Sequence, residues 1–144
     1  MMKNKIIVGF LFCCASHAQA VVLITPGEAT LPAASGIVQT RGITRGPGIQ
    51  LVSPVAGENI KSPFNLKINF EERGGVKIDP ASVKITYMKS PAVDLTSRLG
   101  AGVSSGGIVL NNAEVPPGEH QLNVKVKDAD GRESHTVIAI KVSP

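Results

Sequence analysis

The stretch Val115–Gly131, reading Val-Pro-Pro-Gly-Glu-His-Gln-Leu-Asn-Val-Lys-Val-Lys-Asp-Ala-Asp-Gly, limits most tightly what this chain can become. A Pro-Pro-Gly turn feeds a segment in which Leu122, Val124 and Val126 alternate with Gln121, Asn123, Lys125 and Lys127. A period of two puts the apolar set on one face of a strand and the polar set on the other. Asp130-Gly131 then supplies residues that tolerate the positive φ of a tight hairpin, so Ser134 to Val142 is the expected antiparallel neighbour. One buried face and one wet face point to an antiparallel sheet.

The same texture runs from Gly48 onward. Ile49 to Val55 reads as a strand closed by Pro54 and Gly57. Phe64, Leu66, Ile68 and Phe70 alternate with Asn65, Lys67, Asn69 and Glu71 until Gly74-Gly75 breaks the run. After a turn at Asp79-Pro80, Val83, Ile85 and Tyr87 alternate with Lys84, Thr86 and Met88. Val93 to Leu99 is a weaker strand, Gly100 to Gly107 a small-residue loop, and Ile108 with Leu110 a short strand stopped at Asn111-Asn112. About seven strands in 97 residues, with no helical period, predict an all-β chain folded as an immunoglobulin-like antiparallel β-sandwich, with a barrel as the alternative. The expected core adds Ile138, Ile140 and Val142 to the inward residues already named.

Ahead of this domain the N-terminus reads as a secretory leader. Lys3 and Lys5 give the positive region, Ile6 to Ala15 the apolar region, and Ala18-Gln19-Ala20 the cleavage signal. An apolar run of about ten residues is too short to span a bilayer, which takes about 17–25. Phe12 before Cys13, and Cys13 before Cys14, do not offer the small residue that precedes a lipidated cysteine. Removal of residues 1–20 from 144 leaves 124, and both cysteines leave with them, so no disulfide or thiolate metal site is expected. Loss of Lys3 and Lys5 takes Lys+Arg from 15 to 13 against 11 Asp+Glu, a net charge of +2 rather than +4. Such a balance argues for neither nucleic acid nor an anionic membrane as partner. Residues 21–47 are rich in Gly, Pro, Thr and Ala, carry a short Thr-Arg-Gly echo at 40–46, and read as a flexible or extended arm; residues 48–144 form the domain.

Four segments taken in order, Ile78-Asp79-Pro80-Ala81-Ser82-Val83, Asp94-Leu95-Thr96-Ser97-Arg98-Leu99, Pro116-Pro117-Gly118-Glu119-His120 and Asp128-Ala129-Asp130-Gly131, give the chain a family look. It resembles the bacterial Ig-like domains of exported and periplasmic proteins over roughly residues 49–143. The resemblance implies a sandwich that serves as an interaction or spacer module, and its motifs are a turn, a strand and a hairpin rather than a catalytic set.

No residue set supports catalysis, a cofactor or a metal. His120 and His135, on adjacent strands, pair as i with 261 − i if the hairpin tip is Asp130-Gly131. That sets His120 opposite Lys141 and His135 opposite Val126, on the order of 20 Å apart, too far for shared ligation, and both read as surface or turn residues. Asp128, Asp130 and Gly131 fit hairpin chemistry better than a calcium loop, since Glu133 comes too early and the flanks are strands. Glu71 and Glu72 point to opposite faces of a strand, and Ser104-Ser105 lacks a nucleophile elbow. Gly100–Gly107 has no Lys-Ser/Thr ending for a phosphate. Lys84, Lys125, Lys127 and Lys141 share one outer face without interleaved aromatics, which reads as a solvated stripe.

One feature favours binding. With Ile138 and Ile140 inward, Val137 and Ala139 face outward, so the last strand is partly apolar on both faces. Val137, Ala139 and Lys141 are therefore the candidate partner-binding edge, to be covered by Val21–Ile24 of the arm or by an added partner strand. The function expected is that of an exported, periplasmic or secreted, non-enzymatic module. It would bind a protein or cell-envelope component through a sheet edge and the arm. The alternatives are a carbohydrate- or calcium-binding accessory module and, behind it, a small hydrolase.

Overall fold

The computed structural model describes residues 19–36 and 45–144. Residues 1–18 of the expected leader, and residues 37–44 with most of the Thr-Arg-Gly echo, lie outside the described residues. Along the chain run β1 (Val21–Val22), the single helical turn α1 (Pro26–Ala29), β2 (Gly48–Ser53), β3 (Asn59–Lys61), β4 (Phe64–Glu71) and β5 (Ile78–Tyr87). There follow β6 (Val93–Asp94), a 3-10 segment (Thr96–Gly102), β7 (Val103–Ser104), β8 (Gly107–Glu114), β9 (Gly118–Asp128) and β10 (Glu133–Ser143).

The strands form two sheets, β1-β8-β4-β2 with β7 also on β8, and β3-β10-β9-β5-β6. Antiparallel β2, β4 and β8 in one sheet, and β5, β9 and β10 in the other, reproduce the two sheets of an immunoglobulin-like sandwich. The first long strand is divided between them. The chain leaves β4's side after Ser53 and joins the opposite sheet as β3, parallel to β10 at Lys141–Ser143. Between the sheets, Leu66, Ile68, Phe70, Val83, Ile85, Tyr87, Ile108, Leu110, Leu122, Val124, Val126, Ile138, Ile140 and Val142 are buried, while Phe64 is half-buried. Gly107 lets β8 lie against β4: its φ is +149°, and a Cβ there would overlap the Ile68 carbonyl oxygen.

Three local expectations change. The β9–β10 hairpin exists, but its register is His135 opposite Lys125 and Ile140 opposite His120, one residue from the expected pairing. The cause is a turn of three residues, Ala129 to Gly131, between Asp128 and Arg132, whose Asp128 N–H donates to the Arg132 carbonyl at 3.0 Å. Gly131, at φ +79°, takes the left-handed place of such a turn. Val93–Leu99 is a strand only at Val93–Asp94. Asp94 Oδ1 then accepts from the Thr96 N–H at 2.8 Å and starts the 3-10 segment, which buries Leu99.

The third change concerns the start of the arm. Val21–Val22 pair in parallel with Ala113–Glu114 of β8, and Leu23 and Ile24, at 0% and 1% exposure, complete the core. Thr25 caps α1 in a reciprocal box with Glu28, whose Oε2 accepts from the Thr25 N–H at 2.9 Å. Beyond it Ala33 bridges Lys89 and the Ala34 N–H donates to the Met88 carbonyl, on the other sheet. Residues 21–34 thus cross from one sheet to the other. Sequence alone hides this role, because the apolar run Val21–Ile24 is short and has no period that would say which strand it meets.

Candidate functional site

The outer face of β10, β9 and β5 is laid out by their register. His135 stands opposite Lys125 and Lys125 opposite Lys84; Val137 opposite Asn123 and Asn123 opposite Thr86; Ala139 opposite Gln121. Gln121 is joined to Met88 by the Met88 N–H donating to its carbonyl at 2.9 Å. Lys141 stands opposite Glu119. The rows at Ala139 and Lys141 lead across β9 into an open groove of ≈ 500 Å³ lined by Ala33, Ala34, Tyr87, Met88, Lys89, Glu119 and Gln121. The arm therefore builds one wall of the concavity on this face.

Of the expected edge residues, Val137 is half-buried and Ala139 and Lys141 are exposed. Lys141 does not lie on a free edge, since its backbone pairs with Asn59 of β3; among the described residues no strand pairs with that flank of β10 from His135 to Ala139. Nor does Val21–Ile24 cover Val137 and Ala139; that segment lies on the opposite sheet beside β8. Asn123, between Thr86 and Val137, has a buried Oδ1 without a hydrogen-bond partner among the described residues, on the same face.

The lysine stripe is interrupted by acids. Glu133 reaches Lys125 at 3.2 Å and Lys127 at 3.5 Å, and hydrogen bonding to Lys125 is the main reason its carboxyl lies below the ordinary value. Asp79 stands opposite Lys127 and Glu119 opposite Lys141. Asp94 is held low chiefly by the Thr96 hydroxyl and, more weakly, by the charge of Lys84. Among the described residues, only Lys84 and Lys125 meet as like charges directly across strands.

Beneath the groove lies a polar chain that alternation should have revealed, because His120 shares the parity of Leu122. His120 is 2% exposed, which overturns its reading as a surface or turn residue. Its Nε2 is 2.8 Å from the Pro116 carbonyl, which can only accept, so Nε2 carries the proton. Nδ1 then accepts from the Tyr87 hydroxyl at 2.8 Å. Burial pushes the His120 pKa down, helped by the charge of Lys89 and opposed by the Pro116 bond. Burial, with the Glu28 charge behind it, pushes Tyr87 up. Lys89 Nζ lies 5.3 Å from the Tyr87 ring centroid and donates to the Ala29 carbonyl at 3.1 Å. His135, exposed on the outer face, is on the other side of the sheet from His120 and shares no ion with it.

Two carboxylates, Asp128 of the Asp128–Gly131 turn weighed above as a calcium loop and Glu28 of α1, are already engaged. Asp128 Oδ1 accepts from the N–H groups of Asp130 and Arg132, and Oδ2 from Arg132 Nε at 2.9 Å. Burial raises Asp128, but the Arg132 hydrogen bonds outweigh it and hold the carboxyl below its ordinary value. Glu28 takes both terminal nitrogens of Arg98, at 2.8 and 2.6 Å, and Arg98 also donates to the Leu23 carbonyl at 2.9 Å. The guanidinium hydrogen bond is the chief cause that brings the Glu28 pKa down to about 2. Among the described residues, no group of three or more His, Cys, Asp or Glu is placed to hold a metal ion, and no helix is long and apolar enough to cross a membrane.

No known domain family matches the chain and no curated protein matches it. Two solved structures are similar in fold. CopC from Methylosinus trichosporium OB3b has a TM-score of 0.45 at 20% identity, covering 67% of this chain and 95% of that one. The fibronectin(III)-like modules of Clostridium thermocellum CbhA have a TM-score of 0.42 at 18% identity, covering 67% and 46%.

Proposed function

We propose that this chain is an exported, non-enzymatic immunoglobulin-like module that binds a protein or cell-envelope partner across the outer face of its β10-β9-β5 sheet. The observation that carries this reading is the register: Ala139, Gln121 and Met88 fall in one row that opens into the groove walled by Ala33 and Ala34. Val137 and Ala139 supply the apolar part of the contact, the flank of β10 from His135 to Ala139, which pairs with no strand among the described residues, supplies backbone groups for an added strand, and Lys141 marks the limit set by β3. The alternating charges favour a partner recognised by shape and hydrogen bonding over a polyanion. The leader read at residues 1–20 is the support for export.

Site-specific photo-crosslinking in exporting cells tests this. A photoreactive residue at Ala139 is expected to give a discrete adduct, and one at Val109, exposed on the other sheet, is expected to give none. The same adducts from both positions, or none from Ala139, overturn the reading. N-terminal sequencing of the exported protein is expected to begin at Val21.

A further inference from the structure

We infer that the groove beside Lys89 receives the free C-terminal carboxylate of a peptide, with the Lys89 ammonium as its counter-charge. The inference rests on the binding face proposed above and names the chemistry at one end of it.

Lys89 is half-buried and lines the groove, yet no carboxylate lies within ion-pair distance of it among the described residues. An ammonium has three donors, and one of them goes to the Ala29 carbonyl. A cation partly withdrawn from water without an acid is costly, and the Tyr87 face offsets only part of that cost. Of the acids on this side, Glu28 has both oxygens on Arg98, and Glu119, on the groove lining, stands opposite Lys141 and makes no ion pair with Lys89. An incoming carboxylate is the missing group. The rest of the lining suits a peptide end. Met88, Ala33 and Ala34 offer apolar contact for a side chain, and exposed Gln121 offers both amide donor and acceptor. Glu119 accepts from a peptide N–H and repels a second negative charge, which disfavours phosphate and other polyanions. A volume of ≈ 500 Å³ lies within the range of small-ligand sites, about 300–1,000 Å³.

The test is an NMR titration of the full mature protein with the tripeptide Ala-Leu-Val as free acid, with its C-terminal amide, and with acetate. The free acid is expected to shift the Ala34, Met88 and Gln121 amide resonances and to bind about tenfold or more tighter than the amide, the worth of one charge-assisted hydrogen bond. Lys89→Met is expected to erase that difference. Equal binding of acid and amide, acetate binding as tightly as the free acid, or no shifts at about 10 mM peptide overturns the inference. These comparisons use the unaltered protein and so do not depend on how Lys89→Met folds. Adducts at Ala139 that persist undiminished in Lys89→Met, together with equal acid and amide binding, reject the carboxylate site while leaving the binding face standing.

Discussion

The Tyr87 hydroxyl donates to His120 Nδ1 at 2.8 Å between the two sheets, and the other imidazole nitrogen is spent on the Pro116 carbonyl. This histidine is thus built in as a neutral residue. Its ordinary pKa is 6.5, and the folded value is lower. Above pH 6.5 both folded and unfolded chains hold it neutral. Below 6.5 the unfolded chain binds the proton first, so stability falls with pH and levels off below the folded pKa. Melting temperatures followed from pH 7.5 to 5 are expected to decline below pH 6.5, and the decline is expected to flatten in His120→Gln. A wild-type melting temperature that is flat across this window contradicts the assignment.

A second pH window belongs to Glu28. Its folded pKa of about 2 lies below the ordinary 4.5, so the Arg98 pair contributes stability above pH 4.5 that is lost as pH falls towards 2. The pair is partly exposed, at 28% and 18% for the two side chains, and screening reduces its worth. Glu28→Gln is expected to cost about 1 kcal/mol by denaturant unfolding at pH 7, since it removes the charge of the ion pair while its amide oxygen still serves the capping box. At pH 2, where the folded carboxyl is about half protonated, most of the difference from wild type is expected to be gone.

The N-terminal segment is expected to behave as core. Leu23→Ala should cost about 2–5 kcal/mol, the range for a large-to-small change at a fully buried site. A chain beginning at Gly48 should melt well below one beginning at Val21. If the two melt together, residues 21–34 add nothing to the domain, and the burial of Leu23 and Ile24 has no thermodynamic consequence.

At the opposite end of β9, Asp128→Asn is expected to leave the fold in place but loosen the hairpin. The Arg132 guanidinium and two backbone N–H groups lose their charged acceptor. Hydrogen exchange should quicken at residue 128 and at Arg132, whose amides make the hydrogen bonds of the turn, while β4 amides stay protected. Unchanged protection across the hairpin would show that the turn backbone alone holds it.

Much of the fold was legible because alternation is a direct image of a two-faced strand. Leu66, Ile68 and Phe70, or Leu122, Val124 and Val126, announce both their strand and its buried side. His120 carries the same signal, but its polarity masks it, since residue type alone does not reveal that Tyr87 and Pro116 will satisfy the imidazole. Leu23 and Ile24 carry no period to read, because β1 is two residues long and its pairing with β8 spans some ninety positions of sequence. The hairpin shows the limit of turn motifs: Asp-Gly identifies the bend, whereas the number of residues in it depends on how Asp128 ties to Arg132. The groove was invisible for a related reason. Its walls come from the arm, β5 and β9, and only their meeting in space makes a concavity.

The parallel pairing of β3 with β10 also decides how the domain meets tension. Once β1 and β2 have come away, a pull on the two ends draws β3 back towards its N-terminal side and β10 forward towards its C-terminal side, along one axis and in opposite senses. The bonds joining Asn59–Lys61 to Lys141–Ser143 are therefore loaded in shear and share the force, whereas an antiparallel hairpin such as β9–β10 pulled from its open end yields one rung at a time. Under tension from both ends this short patch is met after β1 and β2 yield, and there the rungs resist together.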